Sequence, residues 1–317
     1  MRLHVVCERD VGLFSLIQQV IANIPWALAE HRIPVVHFGR GTCYWTPNGY
    51  RGRQTVWEYY FEPVLPGHPA SSIPEPVRAR LSAEPPSPHE VGYLADEHTF
   101  VSSHFGDHPQ LTGTALRIPY RWDDPDDVLR RQAKAIIDRY IRPRAYLLQK
   151  VDDFFASRMA GHHLIGVHAR GTDATSRQEL RPFRQGSLVL SRYVAEIERL
   201  LDTQPRAKIL VASDEQATLD HLASAFGVRV IAYDTVRHRD GEAAGQGPTG
   251  WIMPAYIARD RDVAARNGED AVIEYLLLSR CHQLVHNGSS LARTVLLNAP
   301  ELPHTNTHRR SVVRDSR

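Results

Sequence analysis

The C-terminal half of the chain alternates short apolar segments with segments of helical periodicity. The apolar segments HLIGVHA, AKILVAS, VRVIAY and HQLVHN occupy residues 163–169, 207–213, 228–233 and 282–287, and each has the length of a buried strand. Helical patterns lie between and after them, in RYVAEIERLL, EQATLDHLASAF, GEDAVIEYLLLSRC and SSLARTVLL. This alternation predicts a doubly wound parallel sheet, whose ligand crevice lies beyond the carboxyl ends of the strands.

The N-terminal half begins with a strand–helix–strand pattern. LHVVCE and PVVHF are typical of short buried strands, and GLFSLIQQVIANIPWALAEH between them has apolar residues at helical spacing. Residues 39–120 are rich in Pro, Gly, His and aromatics, which favours long loops with short helices. A long helical pattern follows DDPDD at residues 123–127, and Pro143 is expected to break it because proline lacks a backbone N–H.

A chain of 317 residues is long enough for two domains. We expect an N-terminal domain over residues 1–160, a C-terminal domain over residues 161–303, and a polar, mobile tail over residues 304–317, where no hydrophobic pattern remains.

The overall composition argues against several classes of protein. A net charge of +2 without a basic run predicts no nucleic-acid partner, and charged residues interrupt every apolar run, so no membrane span is expected. The three cysteines are scattered, which favours a reducing compartment. Since the first residues also lack the pattern of a signal peptide, we expect a cytoplasmic location.

The strand ending in His168 continues as Ala169-Arg170-Gly-Thr-Asp173. Alternate residues of a strand share a face, so His168 and Arg170 can point the same way. A glycine turn then brings Asp173 to the mouth of the crevice. The guanidinium fork of Arg170 suits a phosphate, and a structural salt bridge is the competing interpretation.

Two further strand ends carry polar residues. Ser213 and Asp214 follow the second strand, where a helix N-cap with Glu215 in the first turn is the simpler interpretation and a contact to a nucleotide is the alternative. Residues 287–290, Asn-Gly-Ser-Ser, separate a strand from a helix, so backbone N–H groups and two hydroxyls converge at a positive helix end. That arrangement predicts an anion site.

No convincing metal or nucleotide fingerprint occurs elsewhere. The Asp-x-Asp spelling within DDPDD resembles the metal motif of some glycosyltransferases, but it precedes a helical pattern, so helix capping is favoured. GRGT at residues 39–42 is too short for a nucleotide fingerprint. Three scattered cysteines offer no zinc site, and we predict no metal.

Three motifs, taken in order, resemble the fucosyltransferase superfamily that contains the α-1,6-fucosyltransferases, the nodulation fucosyltransferases and the protein O-fucosyltransferases. They are IGVHARGTD, ILVASDEQATLDHLASAFG and GEDAVIEYLLLSRCHQLVHNGSSLARTVLL, and together they cover about residues 160–300. The resemblance implies an α/β fold of the GT-B type, in which two Rossmann-like domains face a central cleft. It also implies inverting transfer from GDP-fucose without a metal or other cofactor, the GDP-sugar being the donor substrate.

The resemblance also implies roles for individual residues. Arg170 would bind the β-phosphate, His168 would lie beside the ribose or phosphate, and Ser289 and Ser290 would donate to the diphosphate. Glu274 stands where the family usually has an aspartate that accepts from guanine, and a carboxylate there is chemically sufficient, although an exposed helix charge is the alternative.

The chain departs from the α-1,6 type at the first motif. A second arginine and a trailing lysine of that type are replaced by Gly171 and Ala174, so the phosphate charge must be offset by Arg170, by amides and by a basic residue elsewhere, such as Arg177. Asp173 and Glu179 are both candidates for the catalytic base.

The resulting prediction is a glycosyltransferase that moves a sugar, L-fucose, from a GDP-sugar to a hydroxyl of a carbohydrate or glycosylated small-molecule acceptor. Aromatic residues in the loops from Tyr44 to Trp122 could stack on the acceptor, with loop packing as the alternative. The same scaffold could instead use another GDP-sugar, or it could bind a nucleotide sugar without catalysis.

Overall fold

A computed structural model of the chain describes residues 1–9, 11–83, 92–103, 116–118, 124–170, 189–239, 244–246, 252–254 and 261–308. It has an α/β architecture with two main sheets, each covered by helices.

The first sheet belongs to the N-terminal half and is mixed. Its order is β2-β1-β4-β3, in which β1 pairs in parallel with both β2 and β4, and β3 pairs antiparallel with β4. The strands are β1 (Leu3–Cys7), β2 (Ile33–His37), β3 (Gly92–Leu94) and β4 (Thr99–Ser102).

The second sheet belongs to the C-terminal half and is entirely parallel, in the order β11-β10-β5-β6-β7. Chain order runs outward from β5 through β6 to β7, and then resumes on the other side of β5 with β10 and β11. The order therefore reverses between β5 and β10, and ligands of doubly wound sheets bind at such a switch point. The strands are β5 (Leu164–His168), β6 (Lys208–Ala212), β7 (Val230–Ile231), β10 (Gln283–His286) and β11 (His304–Asn306), and a separate antiparallel pair is formed by β8 (Ala244–Gln246) and β9 (Ile252–Pro254).

The helices follow the predicted hydrophobic periodicity. The predicted break at Pro143 is confirmed, because the helix ends at Tyr140 and a new one begins at Ala145. Asp126 caps the first of these helices by accepting a hydrogen bond from Leu129 N–H at 2.8 Å, which confirms the capping interpretation for this part of DDPDD. The helices are α1 (Leu13–Ala29), α2 (Val56–Tyr60), α3 (Glu75–Ala83), α4 (Asp127–Tyr140), α5 (Ala145–Phe154), α6 (Leu190–Thr203), α7 (Gln216–Phe226), α8 (Arg261–Leu278) and α9 (Ser290–Asn298).

Three features differ from the sequence-based expectations. The region over residues 39–120, predicted to be loops and short helices, also supplies β3 and β4. The tail predicted to begin at residue 304 begins instead with β11, because the edge of β10 offers it a parallel hydrogen-bonding partner. Asn306 of this strand also binds Asp124 at 2.9 Å, and residues 309–317 lie outside the described part of the chain.

Helix α7 also begins later than predicted. Glu215 is its N-cap residue and makes no side-chain capping hydrogen bond, whereas Ser213 Oγ donates to the carbonyl of Ala169 at 2.7 Å. The capping interpretation of Ser213 is therefore wrong, because its hydroxyl joins the ends of β5 and β6. The domain boundary near residue 160 remains a prediction, and it falls between α5 and β5.

The two halves pack against each other through helices that continue one apolar core. Residues of α1, α4, α8 and α9 belong to one buried cluster, and α1 and α4 both contact α9. Arg130 on α4 reinforces this packing by donating to the carbonyls of Leu296, Ala299 and Leu302 at 3.0–3.3 Å, at the end of α9 where carbonyls lack helical partners.

Tight packing also explains the glycine within β5. A Cβ on Gly166 would lie 3.0 Å from both Cys281 Sγ and Leu278 Cδ2, so a side chain there would displace the end of α8 from the sheet. Among the described residues, no helix combines the length and apolar character needed to cross a bilayer.

Candidate functional site

The site begins with the last residues of three neighbouring strands. His286 on β10, His168 on β5 and Ala212 on β6 are in register at the carboxyl edge of the sheet. His168 and His286 are both buried. Because β5 and β10 flank the switch point, their side chains lie where a ligand crevice is expected.

Arg170 leaves this edge from a backbone that is held on both sides. Its carbonyl accepts a hydrogen bond from Asn287 Nδ2 at 3.2 Å, while the preceding carbonyl of Ala169 accepts from Ser213. The positive charge of Arg170 reaches Tyr44: burial raises the pKa of that phenol, and Arg170 acts in the opposite direction. The Arg170 side chain thus acts electrostatically on a residue of the N-terminal half.

The N-terminus of α9 supplies hydrogen-bond donors beside Arg170. Ser289 caps the helix by accepting from Ala292 N–H at 3.2 Å, and its hydroxyl lies 3.0 Å from Nδ1 of His168. A hydroxyl that accepts from the backbone can donate to Nδ1, and in that arrangement the neutral His168 ring carries its proton on Nε2. No described residue accepts from the N–H groups of Ser290 and Leu291, so both can bind an anion.

The glycine of the Asn-Gly-Ser-Ser segment has a different role from the one predicted. Gly288 has a φ of +78°, which favours glycine, and its N–H donates to Nδ1 of His286 at 3.0 Å. The N–H of Gly288 therefore stabilises the turn at the start of α9. The predicted anion site depends instead on the N–H groups of Ser290 and Leu291.

The N-terminal half reaches the same helix end. Ser15, in the first turn of α1, places its hydroxyl 2.7 Å from that of Ser290, and Gln18 donates to the carbonyl of Ser290 at 2.8 Å and to Thr294 at 3.0 Å. Tyr44 accepts from the N–H of Leu13 at 3.3 Å, at the start of α1. The positive ends of α1 and α9 are thereby close to each other and to Arg170.

The crevice changes character beyond β6. Glu274 on α8 is largely buried, and Arg237 Nη2 lies 3.6 Å from its Oε1. Burial raises the pKa of Glu274 to about 8; Arg237 lowers it, and the carboxylates of Asp270 and Asp214 raise it further. Burial also raises the pKa of Asp270, one helical turn away, to about 7.

The predicted nucleotide contact Asp214 lies at this acidic end of the crevice. It is partly exposed, and its carbonyl accepts from His238 N–H at 2.8 Å. That bond holds the segment after β7 against the end of β6. The six described residues of the predicted site therefore form two groups along the carboxyl edge of the sheet. One group contains Asp214 and Glu274. The other group, at the opposite end, contains Arg170, His168, Ser289 and Ser290.

A cluster of Asp124, His286 and His304 has the composition of a metal site. The carboxylate oxygens of Asp124 lie 3.7 Å from His286 Nε2 and 3.6 Å from His304 Nε2. Because His286 Nδ1 accepts from Gly288, the neutral ring carries its proton on Nε2, and a cation there would require an imidazolate. Burial works to raise the pKa of Asp124, but its contacts with His304, His286 and Asn306 bring it to about 2. The chemistry favours a structural group of charges over a metal site, with His286 held by the N–H of Gly288.

Both candidates for the catalytic base, Asp173 and Glu179, lie outside the described residues, as does Arg177. Among the aromatic residues considered for stacking on sugars, Trp57, Tyr59 and Tyr60 are buried in the core, and Tyr50 donates to Glu269 at 2.8 Å. For these four the packing interpretation is correct.

Sequence reasoning missed several residues of the site. No local signal marks Ser15 and Gln18, because their partners are about 275 positions away. Arg237 and His286 were also missed. His286 alone carried a local signal, since it ends the strand before Asn-Gly-Ser-Ser.

No protein-family model matches the chain, and no curated protein matches it by sequence. Solved structures do resemble it over nearly its whole length. The NodZ α-1,6-fucosyltransferase soaked with GDP-fucose matches with a TM-score of 0.57 at 18% identity, covering 95% of this chain and 94% of that one. NodZ from Bradyrhizobium matches with a TM-score of 0.57 at 19% identity, covering 96% and 93%. POFUT1 in complex with GDP-fucose matches with a TM-score of 0.51 at 12% identity, covering 96% and 97%.

At these identities the likeness establishes the fold. The predicted α/β fold of the GT-B type is confirmed, because both sheets of this chain fall within the matched region.

Proposed function

We propose that the chain is an inverting, metal-independent glycosyltransferase that transfers L-fucose from GDP-fucose to a hydroxyl of a carbohydrate or glycosylated small-molecule acceptor. The observation that carries the proposal is that a cationic region, at Arg170 and the start of α9, and the Glu274 carboxylate lie beside the carboxyl ends of neighbouring strands of one parallel sheet. A nucleoside diphosphate with a guanine base needs both. The fold is that of NodZ, a structure of which was soaked with GDP-fucose.

The proposed reaction is a single displacement. The acceptor oxygen attacks the anomeric carbon, the bond from that carbon to the β-phosphate oxygen breaks, and GDP leaves with both bonding electrons. The acceptor proton passes to a carboxylate, for which Asp173 and Glu179 remain the candidates. Attack on the face opposite to the leaving group inverts the anomeric centre.

Negative charge develops on the β-phosphate as that bond breaks. Arg170 and the N–H groups of Ser290 and Leu291 would stabilise this charge without a divalent ion, since they lie at the carboxyl edge of the sheet and the start of α9. One such donor is typically worth about 3 kcal/mol in the transition state. His168, held by Ser289, would add an Nε2–H donor near the phosphate or ribose.

Calorimetry with GDP, UDP and CDP tests the donor assignment. We expect GDP to bind most tightly, because Glu274 can accept from two N–H groups of guanine, and uracil and cytosine offer no such pair. Preference for UDP would refute the proposal. We also expect activity to persist in EDTA. Strict dependence on Mn²⁺ would instead favour a metal-binding role for the DDPDD segment that contains Asp124.

Two alternatives are separated by activity measurements. Competition between GDP and candidate GDP-sugars, with transfer as the readout, identifies the sugar, because Glu274 recognises the base and not the sugar. A non-catalytic binding protein would bind GDP-sugars but show neither transfer nor hydrolysis, and the replacements at Gly171 and Ala174 are the sequence features that favour it.

We also infer a cytoplasmic location, supported by the three cysteines, none of which forms a disulfide. Cell fractionation with an antibody to the chain tests this.

A further inference from the structure

Arg237 lies between three segments at the acidic end of the crevice. Its side chain is buried, and its guanidinium donates to the carbonyls of Ser213 at 3.1 Å, Tyr233 at 2.7 Å and Thr235 at 3.4 Å. These bonds tie the end of β6 to the segment that follows β7. Lysine could not reproduce them, because three separate acceptors require the planar fork of an arginine.

The same guanidinium faces Glu274 on α8. Nη2 is 3.6 Å from Oε1, and that oxygen has no hydrogen-bond partner among the described residues. Among the described residues, Arg237 is thus the cation that faces the carboxylate, and it makes no hydrogen bond to Oε1, which is shielded from solvent.

The other charged groups that act on Glu274 from the described part of the chain are carboxylates. Asp270, one turn earlier on α8, and Asp214, at the end of β6, both disfavour the ionised form of Glu274, as does burial. Without Arg237 the pKa of Glu274 would rise further, and a protonated carboxyl would direct an O–H toward the crevice. Since guanine presents N1–H and N2–H₂, that proton would remove an acceptor that the base needs.

We propose that Arg237 is a positioning residue for base recognition: by joining the ends of β6 and β7 to the Glu274 carboxylate, it favours the ionised form of that carboxylate and orients it toward a guanine ring. This inference rests on the proposed use of a GDP-sugar. Arg237 acts through Glu274 and contributes selectivity for the base, whereas the affinity for the diphosphate belongs to Arg170 and α9.

The test compares GDP with UDP, because the two ligands share the ribose and the diphosphate and differ only in the base. Calorimetric Kd values are measured for the wild type and for Arg237→Met, Arg237→Lys and Glu274→Gln, from pH 6 to 9. Arg280→Met is the matched control, since Arg280 makes a partly exposed ion pair with Asp152 just after α8. Thermal unfolding of every variant accompanies the binding data.

For Arg237→Met we expect the preference for GDP over UDP to fall by about 30-fold, as when one partner of a buried charge pair is removed, with UDP affinity nearly unchanged. For Arg237→Lys, which keeps the charge and loses carbonyl bonds, we expect a smaller fall of about threefold to tenfold. The pH below which GDP affinity declines should move upward in Arg237→Met and stay in place in Arg237→Lys.

The double variant tests whether the two residues act together. Adding Arg237→Met to Glu274→Gln should change the preference for GDP over UDP little beyond the effect of Glu274→Gln alone.

If Arg237 has only a structural role, Arg237→Met should weaken the binding of GDP and of UDP equally, and that result overturns the inference. The inference is also overturned if the effects of Arg237→Met and Glu274→Gln on the GDP preference add in the double variant. If Arg237→Met does not fold, the preference and pH profile of Arg237→Lys decide, and a wild-type preference in that variant overturns the inference. A wild type without any preference for GDP contradicts the proposed function itself and removes the inference with it. If the wild type prefers GDP and Arg237→Met has the same preference for GDP over UDP, the inference is contradicted and the proposed function is not.

Discussion

The crevice at the C-terminal sheet has two ends that differ in chemistry. Beside β5 and β10, the charge of Arg170 and the open N–H groups at the start of α9 create a positive region. Beside β6 and β7, the buried guanidinium of Arg237 faces Glu274, and the carboxyls of Asp214 and Asp270 act on Glu274; the pKa values of Asp270 and Glu274 are raised.

The difference indicates how a ligand would be oriented. An anionic group is stabilised only at the first end, where the helix dipole and Arg170 add to each other. A neutral group rich in N–H donors is stabilised only at the second end, where carboxylate oxygens accept. A nucleoside diphosphate therefore has one favourable direction in the crevice, and each end can be altered separately.

The largest expected effect comes from removing the charge at the phosphate end. Arg170→Ala should lower transfer by at least about a hundredfold, because a developing negative charge loses a preorganised donor. GDP and UDP should lose affinity equally, since they share the diphosphate. Steady-state transfer assays and calorimetry measure both effects.

Arg199→Ala is the matched control for this variant, because Arg199 makes an exposed ion pair with Glu196 on α6. Circular dichroism verifies that both variants fold. Unchanged turnover in Arg170→Ala would eliminate the whole assignment of the phosphate end.

At the base end, Glu274→Gln should weaken GDP binding by about tenfold or more while stabilising the fold. The folded-state pKa of Glu274, about 8, exceeds its usual value of 4.5, so between these values the unfolded state binds fewer protons and stability falls as pH rises. A glutamine removes this cost, which amounts to about 3 kcal/mol near pH 7. Chemical denaturation at pH 5 and pH 8 measures the effect, which should be larger at pH 8.

A loss of stability in Glu274→Gln at pH 8 would contradict this account of the burial of Glu274. Glu198→Gln, on the surface of α6, serves as the control substitution of the same chemical type.

The third prediction concerns pH and uses the wild type. Guanine requires the ionised form of Glu274, so GDP affinity should fall by up to about tenfold for each unit of pH below 8. UDP carries the same diphosphate, so the pH dependence of UDP affinity measures any titration at the phosphate end, and the ratio of the two affinities isolates the base end. Because the pKa of Asp270 is raised to about 7, Asp270→Asn separates its contribution. A GDP-to-UDP ratio that is constant from pH 6 to 9 is the contrary result.

The smallest effect is expected at the start of α9. Ser289→Ala should reduce the free energy of unfolding by about 1 kcal/mol, because the N-cap oxygen is lost. Ser290→Ala, one residue later, should cost less stability, since Ser290 does not cap the helix and binds Ser15 instead. Urea unfolding compares the two, and equal losses would contradict the capping assignment.

Much of the C-terminal half could be predicted from the sequence. Strands β5, β6, β7 and β10 all lie within the apolar segments that predicted them. Strand β7 is the shortest of the four, with two residues. Parallel strands buried on both faces require continuous apolar runs, so their sequence pattern is strong. The position of Arg170 beside the Asn-Gly-Ser-Ser segment followed from the same topology.

The N-terminal half was less predictable. Strand β4, Thr99–Ser102, is short, and its residues Ser102 and Thr99 make polar contacts with His4, Asn23 and Asp96 that an apolar pattern does not anticipate. Strand β11 was missed for a related reason, because its polar side chains are stabilised by partners distant in the chain.

The sequence by itself determined the alternation of strands and helices, the carboxyl edge at which a ligand would bind, and the residue types available there. Only the tertiary structure decided which of those residues act together. It directed the N–H of Gly288 to His286, brought Ser15 of α1 to Ser290 of α9, and put Arg237 opposite Glu274. The physical reason is that strand and helix periodicity is a local property of the chain, whereas hydrogen bonds and charge pairs in a crevice join residues that only folding makes neighbours.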